Sequence, residues 1–458
     1  MGLSETKIAD QDDIRGEQAE QSSSLLTQLE HDKLQNDSSI QNHDDAAKHS
    51  CSSRSTANSS STSSPFETSV TRNSDERSVE NGAELASGKT RSLKMCVKKD
   101  FDYLVGNLEK LPESARKLFQ VAKVYLTTES ANSSSDRDFT SLFQTLPSTR
   151  AENDVSSGMH NSIAETHFKC PENLFIPLKK SAPLHYAQTY IQWKSAQDLK
   201  NVYAFCLPKK RTVYLQPIDE FPDFVYAFRL KTHHMTLSLF ETLQGFVQIF
   251  FSGLEVYIRP PLSLKENEYP VQSRYQESTN KLQYCVNDLY PLLQSVLPSD
   301  GICIAGVIWT DIFPTGYNFV LGEASVKHQA AVISFGRYEP RGYNQDSNSD
   351  VTEVDGILMW KLLKTLSHEL CHLFGLEHCK FFRCAMNESS SVSDALSHPL
   401  FLCPVCLRKL QRACGFDVLE RYQQLRVFLN SVVEQLEHTS KLEESLTWLD
   451  LCIEYLNS

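Results

Sequence analysis

Apolar side chains along this chain fall into three regimes: no period up to about residue 98, a single helical run followed by polar sequence to about residue 165, and closely spaced strand-like and helix-like runs from residue 212 onward. Leu104, Leu108, Leu111, Leu118, Val121 and Val124 recur at helical intervals, which predicts a helix from Phe101 to about Leu126 at the periphery of the fold. The Ser/Asn/Asp-rich stretch at about 128–165 reads as an inserted loop. Thr212–Pro217 alternates as a strand, and Leu239, Phe240, Leu243, Phe246, Val247 and Phe250 then make one apolar helix face. A strand over Leu254–Ile258 and a helix from about Lys281 to Leu297 follow. Ile302–Ile308 is apolar throughout, as a strand covered on both faces would be. Phe319–Val326 and Ala331–Phe335 read as two further strands, and a long apolar helix begins near Val354. Helical periodicity returns over Leu419–Leu436 and Leu442–Leu456. Strands alternating with long helices imply an α/β fold with a mostly parallel sheet.

The helix that begins near Val354 carries the chemistry. Residues 368–378 read H-E-x-x-H-x-x-G-x-x-H. His368 and His372 are four apart, so on a helix they sit about 40° apart and can face one metal ion. Gly375 can end the helix in a left-handed conformation and bring His378 round as a third nitrogen ligand. Three protein ligands leave one tetrahedral position open, the mark of a catalytic zinc site. Glu369 is not needed as a ligand and is free to act as general base. The competing reading is a pair of structural histidines buried on a core helix, since Leu358, Leu362, Leu363, Leu366, Leu370, Leu373 and Phe374 share that helix.

Cys379 and Cys384 follow at once, then Met386, and further on Cys403 and Cys406. Two close cysteine pairs have the spacing of a closed tetrahedral zinc site, against the alternative of buried free thiols. On these residues the chain resembles the archaemetzincin family of metzincin-clan metalloproteases, whose extended histidine motif is overlapped by C-x4-C-x-M and followed by C-x-x-C. The gap of 16 residues between Met386 and Cys403 departs from the family spacing by one loop residue. The resemblance implies that His368, His372 and His378 hold a catalytic zinc, that Glu369 is the general base, and that Met386 forms a Met-turn beneath the site. It implies a second, structural zinc on Cys379, Cys384, Cys403 and Cys406. It also implies a twisted, mostly parallel five-stranded sheet with an antiparallel edge strand at Asn318–Glu323, which can hold an extended peptide over the metal. The expected division is a tail at 1–98, an N-terminal metzincin-like subdomain at 99–375 and a helical, zinc-stapled subdomain at 376–458. The implied activity is zinc-dependent hydrolysis of peptide bonds, aminopeptidase-like on small peptides.

Composition narrows the setting. Residues 1–90 hold 16 acidic and 8 basic side chains, so most of the net charge of −12 lies in a Ser/Asn/Gln-rich segment too polar to bury a core, which reads as disordered. The remainder is close to neutral and lacks a nucleic-acid footprint. No apolar run follows Met1 and no stretch is long enough to span a bilayer, so neither secretion nor membrane insertion is expected; Gly2 and Thr6 match a permissive myristoylation pattern. Thirteen cysteines without a secretory signal suit a reducing cytoplasmic or nuclear setting, and the expected state is a monomer. Two other functions stay open from sequence: a zinc-binding scaffold without turnover, against which Glu369 counts, and a zinc-knuckle nucleic-acid binder, against which the charge counts. Arg408, Lys409 and Arg412 are expected on a solvated helix face.

Overall fold

The computed structural model describes residues 98–127, 174–179, 183–203, 211–232, 235–265, 269–276, 281–338, 351–389 and 391–458. All lie in one compact unit, Cys96–Ser458. The expected acidic tail, its glycine at position 2 and the polar insertion at 128–165 lie outside the described residues.

Strands β1 (Thr212–Ile218), β2 (Leu230–Lys231), β3 (Thr236–Leu237), β4 (Glu255–Ile258), β5 (Ser273–Tyr275), β6 (Leu282–Cys285), β7 (Gly301–Ile308), β8 (Asp311–Phe313), β9 (Gly322–Ser325) and β10 (Ala330–Ser334) form three sheets. The main sheet has five strands in the order β4-β1-β7-β10-β9. β4, β1, β7 and β10 are mutually parallel, and β9 is antiparallel to β10 at the edge. β7 is central because nearly every side chain in Gly301–Ile308 is apolar and both faces are covered.

Alternate residues of the sheet feed two cores. Val213, Leu215, Ala305, Val307, Ala331 and Ile333 join the larger one, whereas Tyr214, Ile304, Ile308 and Val332 face the smaller. The relevant helices are α1 (Tyr190–Tyr203), α2 (Leu239–Phe250), α3 (Val286–Val296), α4 (Gly356–Leu373), α5 (Pro404–Cys414), α6 (Val418–Val433) and α7 (Ser440–Asn457). α3 covers the smaller core, and α2, α4 and the C-terminal helices build the larger. A capping box of Ser238 and Glu241 starts α2, and the Asp355 side chain caps α4 at the Leu358 amide.

Three expectations change. The run from Lys281 to Leu297 opens as strand, because Leu282–Cys285 alternates partly buried and buried and pairs with β5 and β8, leaving helix only from Val286. The sheet edge is Gly322–Ser325, a shift from Asn318–Glu323, while Val320 makes only an isolated bridge to Ile312. The segment from Phe101 to Leu126 is three short helices, over 98–105, Glu113–Gln120 and Lys123–Thr127. Gly106 at φ 72° and Pro112 break it. Nor is it peripheral, since Leu104, Val105, Leu118 and Phe119 are fully buried in the larger core.

Candidate active site

The last two turns of α4 present His368 and His372 on one side. Gly375 then takes φ 79°, with Gly375 N–H donating to His372 O at 2.8 Å and Leu376 N–H to Cys371 O at 3.1 Å. These paired bonds are the helix-terminating motif that glycine favours, and they turn the chain so that His378 returns to the other two histidines. The ring centroids of the three lie 4.8, 5.5 and 4.9 Å apart.

Backbone carbonyls fix the tautomers. His368 Nδ1 donates to Ala385 O and His372 Nδ1 to Leu376 O, both at 2.7 Å. Each Nε2 therefore carries a lone pair, and the two Nε2 atoms face each other at 3.1 Å with no proton to share. Burial first, and the neighbouring imidazoles second, push His368 down to about 3 and His372 down to about 4, so both are neutral at physiological pH. Burial lowers His378 as well. Neutral nitrogens converging on one point are what a divalent metal requires.

Glu369 is 7 % exposed, and burial, with repulsion from Glu323 second, pushes its carboxyl up to about 8. A divalent cation at the histidines would draw it back toward the ionised form. These residues line a cleft of about 450 Å³ together with Gly322, Glu323 and Ala324 of the edge strand and Gln188 of the loop before α1. Gly322 is needed there: a Cβ would come within 2.8 Å of Glu369 Cγ and of Thr365 Cγ2.

Cys379, Cys384, Cys403 and Cys406 form a second, fully buried cluster. Within each cluster the candidate ligand atoms lie within 4.8 Å of one another. Around a tetrahedral zinc, bond lengths imply sulfurs about 3.8 Å apart and nitrogens about 3.3 Å apart. Cys379 Sγ lies 3.7 Å from Cys403 Sγ, so both donor sets fit the ion. Cys403 stands at the N-cap position of α5 and Cys406 in its first turn, so this helix start presents two of the four sulfurs. Hydrogen bonds from the other three thiols hold Cys379 well below the ordinary thiol range, while burial raises Cys384 and Cys403.

Met386 is fully buried, in the turn whose Ala385 carbonyl orients His368, and its own carbonyl accepts from Cys379 N–H at 2.7 Å. The structure thus ties the two clusters together through one turn. Asn387, which the motif does not include, braces that turn: Oδ1 accepts from Cys384 N–H at 2.7 Å, and Nδ2 donates to Cys379 O and Phe382 O at 2.9 and 3.0 Å.

Comparison with known proteins agrees with this geometry. Residues 255–412 match the model of Peptidase family M54. Archaemetzincin-2 of Mus musculus is 30 % identical over 284 residues, which cover 56 % of this chain and 76 % of that protein. The chain belongs to the archaemetzincins. Archaemetzincin-1 of Homo sapiens is 30 % identical over 246 residues, 49 % of this chain and 47 % of its own. The solved archaemetzincin of Methanopyrus kandleri is 22 % identical with a TM-score of 0.33, covering 46 % of this chain and 99 % of that one. This archaemetzincin is a zinc-dependent metallopeptidase, and peptides are its substrates.

The motif gives no sign of the distant side chains that brace the histidine turn of this archaemetzincin. Gln188 donates through Nε2 to Gly375 O at 2.9 Å and accepts at Oε1 from Glu377 N–H at 3.1 Å. Trp193 Nε1 donates to Phe374 O at 3.0 Å. Lys409 Nζ donates to both oxygens of Gln188, at 2.5 and 2.9 Å. The basic group therefore does not lie on a solvated face: Lys409 is 1 % and Arg408 6 % exposed, and only Arg412 is exposed. Pairing with buried carbonyls is what holds these charges inside. Only a packed structure brings residues this distant in sequence together.

Proposed function

We propose that His368, His372 and His378 hold the catalytic zinc, that Glu369 is the general base, and that Cys379, Cys384, Cys403 and Cys406 hold a structural zinc, with Met386 closing the turn between them. The observation that carries this reading is the pair of Nε2 lone pairs facing each other at 3.1 Å beside a buried carboxyl that lines the same cleft. Zinc bound there supplies Lewis-acid polarisation of the scissile carbonyl. Glu369 takes the proton from the attacking water and delivers it to the leaving amine. The β9 edge holds the peptide by main-chain hydrogen bonds.

The reading extends to aminopeptidase-like cleavage of short peptides, for which the modest cleft volume of about 450 Å³ is the support. It further takes the protein to be a cytoplasmic or nuclear monomer that does not bind nucleic acid. No disulfide is formed among the nine described cysteines, which suits a reducing compartment. No described helix is long and apolar enough to cross a membrane.

Two measurements test the assignment. Plasma emission spectrometry is expected to give two zinc ions per wild-type chain and in Glu369→Gln, and one in His372→Ala. Glu369→Gln is expected to lower hydrolysis at least about a hundredfold, the scale for losing a positioned general base. Wild-type turnover in that variant would remove Glu369 from the mechanism.

A further inference from the structure

Two elements wall the cleft, and they bracket His368 and His372 along α4. At one end Gly322 of β9 packs against Thr365 and Glu369; at the other, α1 lies over Gly375, past the end of the helix. Trp193 and Gln197 are four apart and share one face of α1. Trp193 fixes that face through its bond from Nε1 to Phe374 O at 3.0 Å. One turn further on, Gln197 extends its carboxamide across Gly375, where a Cβ would stand 2.2 Å from Gln197 Nε2. Gly375 therefore serves twice: it turns the chain toward His378, and it leaves the room in which this amide sits.

Gln197 is half-buried and lines the cleft with Glu369 and the three histidines. Gln188, on the same wall, commits both ends of its amide to the turn and accepts from Lys409. Gln197 commits neither end: among the described residues its carboxamide makes no hydrogen bond. The edge strand shows what such a group would meet. Ser334 N–H donates to Leu321 O at 3.0 Å. Hydrogen-bonded positions alternate in an antiparallel ladder, so Leu321 and Glu323 turn their main-chain groups to β10, and Gly322 and Ala324 turn theirs to the open edge. A peptide paired with those groups uses one of its two hydrogen-bonding edges. Its other edge faces away from the sheet with N–H and C=O groups that need partners once water is displaced. A carboxamide holds a donor and an acceptor side by side and matches that edge whichever way round it is turned. Its place beside the histidine turn suits the main chain next to the scissile bond, which must pass over the histidines to be cut.

We propose that Gln197 is a substrate-binding residue whose carboxamide hydrogen-bonds the peptide main chain on the edge that β9 leaves open, so that the substrate is held between β9 and α1. This rests on the reading above in which β9 pairs with the peptide.

The test uses the full chain loaded with zinc, one fluorogenic peptide, and a series of analogues in which one non-scissile amide at a time is replaced by an ester. Each ester removes an N–H and weakens the carbonyl as an acceptor. In the wild type, esters at the bonds held by β9 and by Gln197 are each expected to lower kcat/KM by about fivefold to tenfold, the scale of one hydrogen bond. Gln197→Met, similar in length and without the amide, is expected to lower kcat/KM for the parent peptide by the same factor through a higher KM, with both zinc ions retained. In that variant one ester position is expected to cost nothing further, while the others keep their full penalty. Penalties unchanged at every position would overturn the Gln197 assignment alone, as would loss of the zinc at the histidines, which would make Gln197 a brace of the turn. No penalty at any position in the wild type would overturn the β9 reading and this inference with it. Should Gln197→Met fail to fold, Gln197→Ala, which only removes atoms, is read in the same way.

Discussion

Gly322 shows how narrow the tolerances around Glu369, the proposed general base, are. An alanine at this position places its Cβ 2.8 Å from Glu369 Cγ and from Thr365 Cγ2, so one of three packed groups must move. Thr365 is hydrogen-bonded to Tyr338, whose ring is buried, and the freer group is the Glu369 carboxyl. Gly322→Ala is therefore expected to keep both zinc ions but to lower kcat by roughly tenfold or more and to cost about 1–3 kcal/mol of stability, the scale of overpacking. Steady-state kinetics with a zinc count and a denaturant midpoint check this. Unchanged kcat would mean that the base does not depend on the space at Gly322. The sequence motif names Glu369 but says nothing of its neighbour, because Gly322 reaches it only through the pairing of β9 with β10.

At the level of elements, the turn that carries His378 is braced from outside its own helix. Gln188 bonds both Gly375 and Glu377, and Lys409 of α5 holds Gln188 in place. Gln188→Ala is expected to weaken zinc at the histidine cluster by about tenfold to a hundredfold, as loss of outer-shell partners does elsewhere, while leaving the cysteine cluster loaded. Competition with a graded series of chelators would show it, and equal loss from both clusters would point to a general loosening. Cys403→Ser acts on the other element. It removes one of four sulfurs, and is expected to release one zinc and lower the melting temperature, since binding of a structural metal is coupled to folding. A wild-type melting profile would argue against a structural zinc there.

For the whole molecule, the question is which parts of the chain the core requires. The compact unit begins at Cys96, and Leu104 and Val105 just beyond it are fully buried, with Val105 O accepting from Arg408 Nε at 3.2 Å. A chain beginning at Cys96 is expected to retain both metals and wild-type hydrolysis. One beginning at Asn107 is expected to lose at least about 3 kcal/mol, because two fully buried side chains go and a buried guanidinium loses its acceptor. Thermal melts of the two, with zinc counts, decide it. If both behave alike, the helix over 98–105 is dispensable despite its burial.

The sequence by itself singled out the three histidines, the four cysteines and Glu369 as candidates, and determined the parallel strands and the long helices. These are local matters: i,i+4 spacing on a helix, a glycine that ends it, close cysteine pairs and apolar runs with a definite period. The tertiary structure alone decided where the edge strand lies, that Leu282–Cys285 is strand and not the start of a helix, and that Arg408 and Lys409 are buried. It also brought Gln188, Asn387 and Gln197 into the site. Each of these depends on partners far away in sequence. A four-residue alternating segment becomes strand only when neighbours on both sides accept its hydrogen bonds, and a charged side chain turns inward only when a carbonyl elsewhere in the fold is waiting for it.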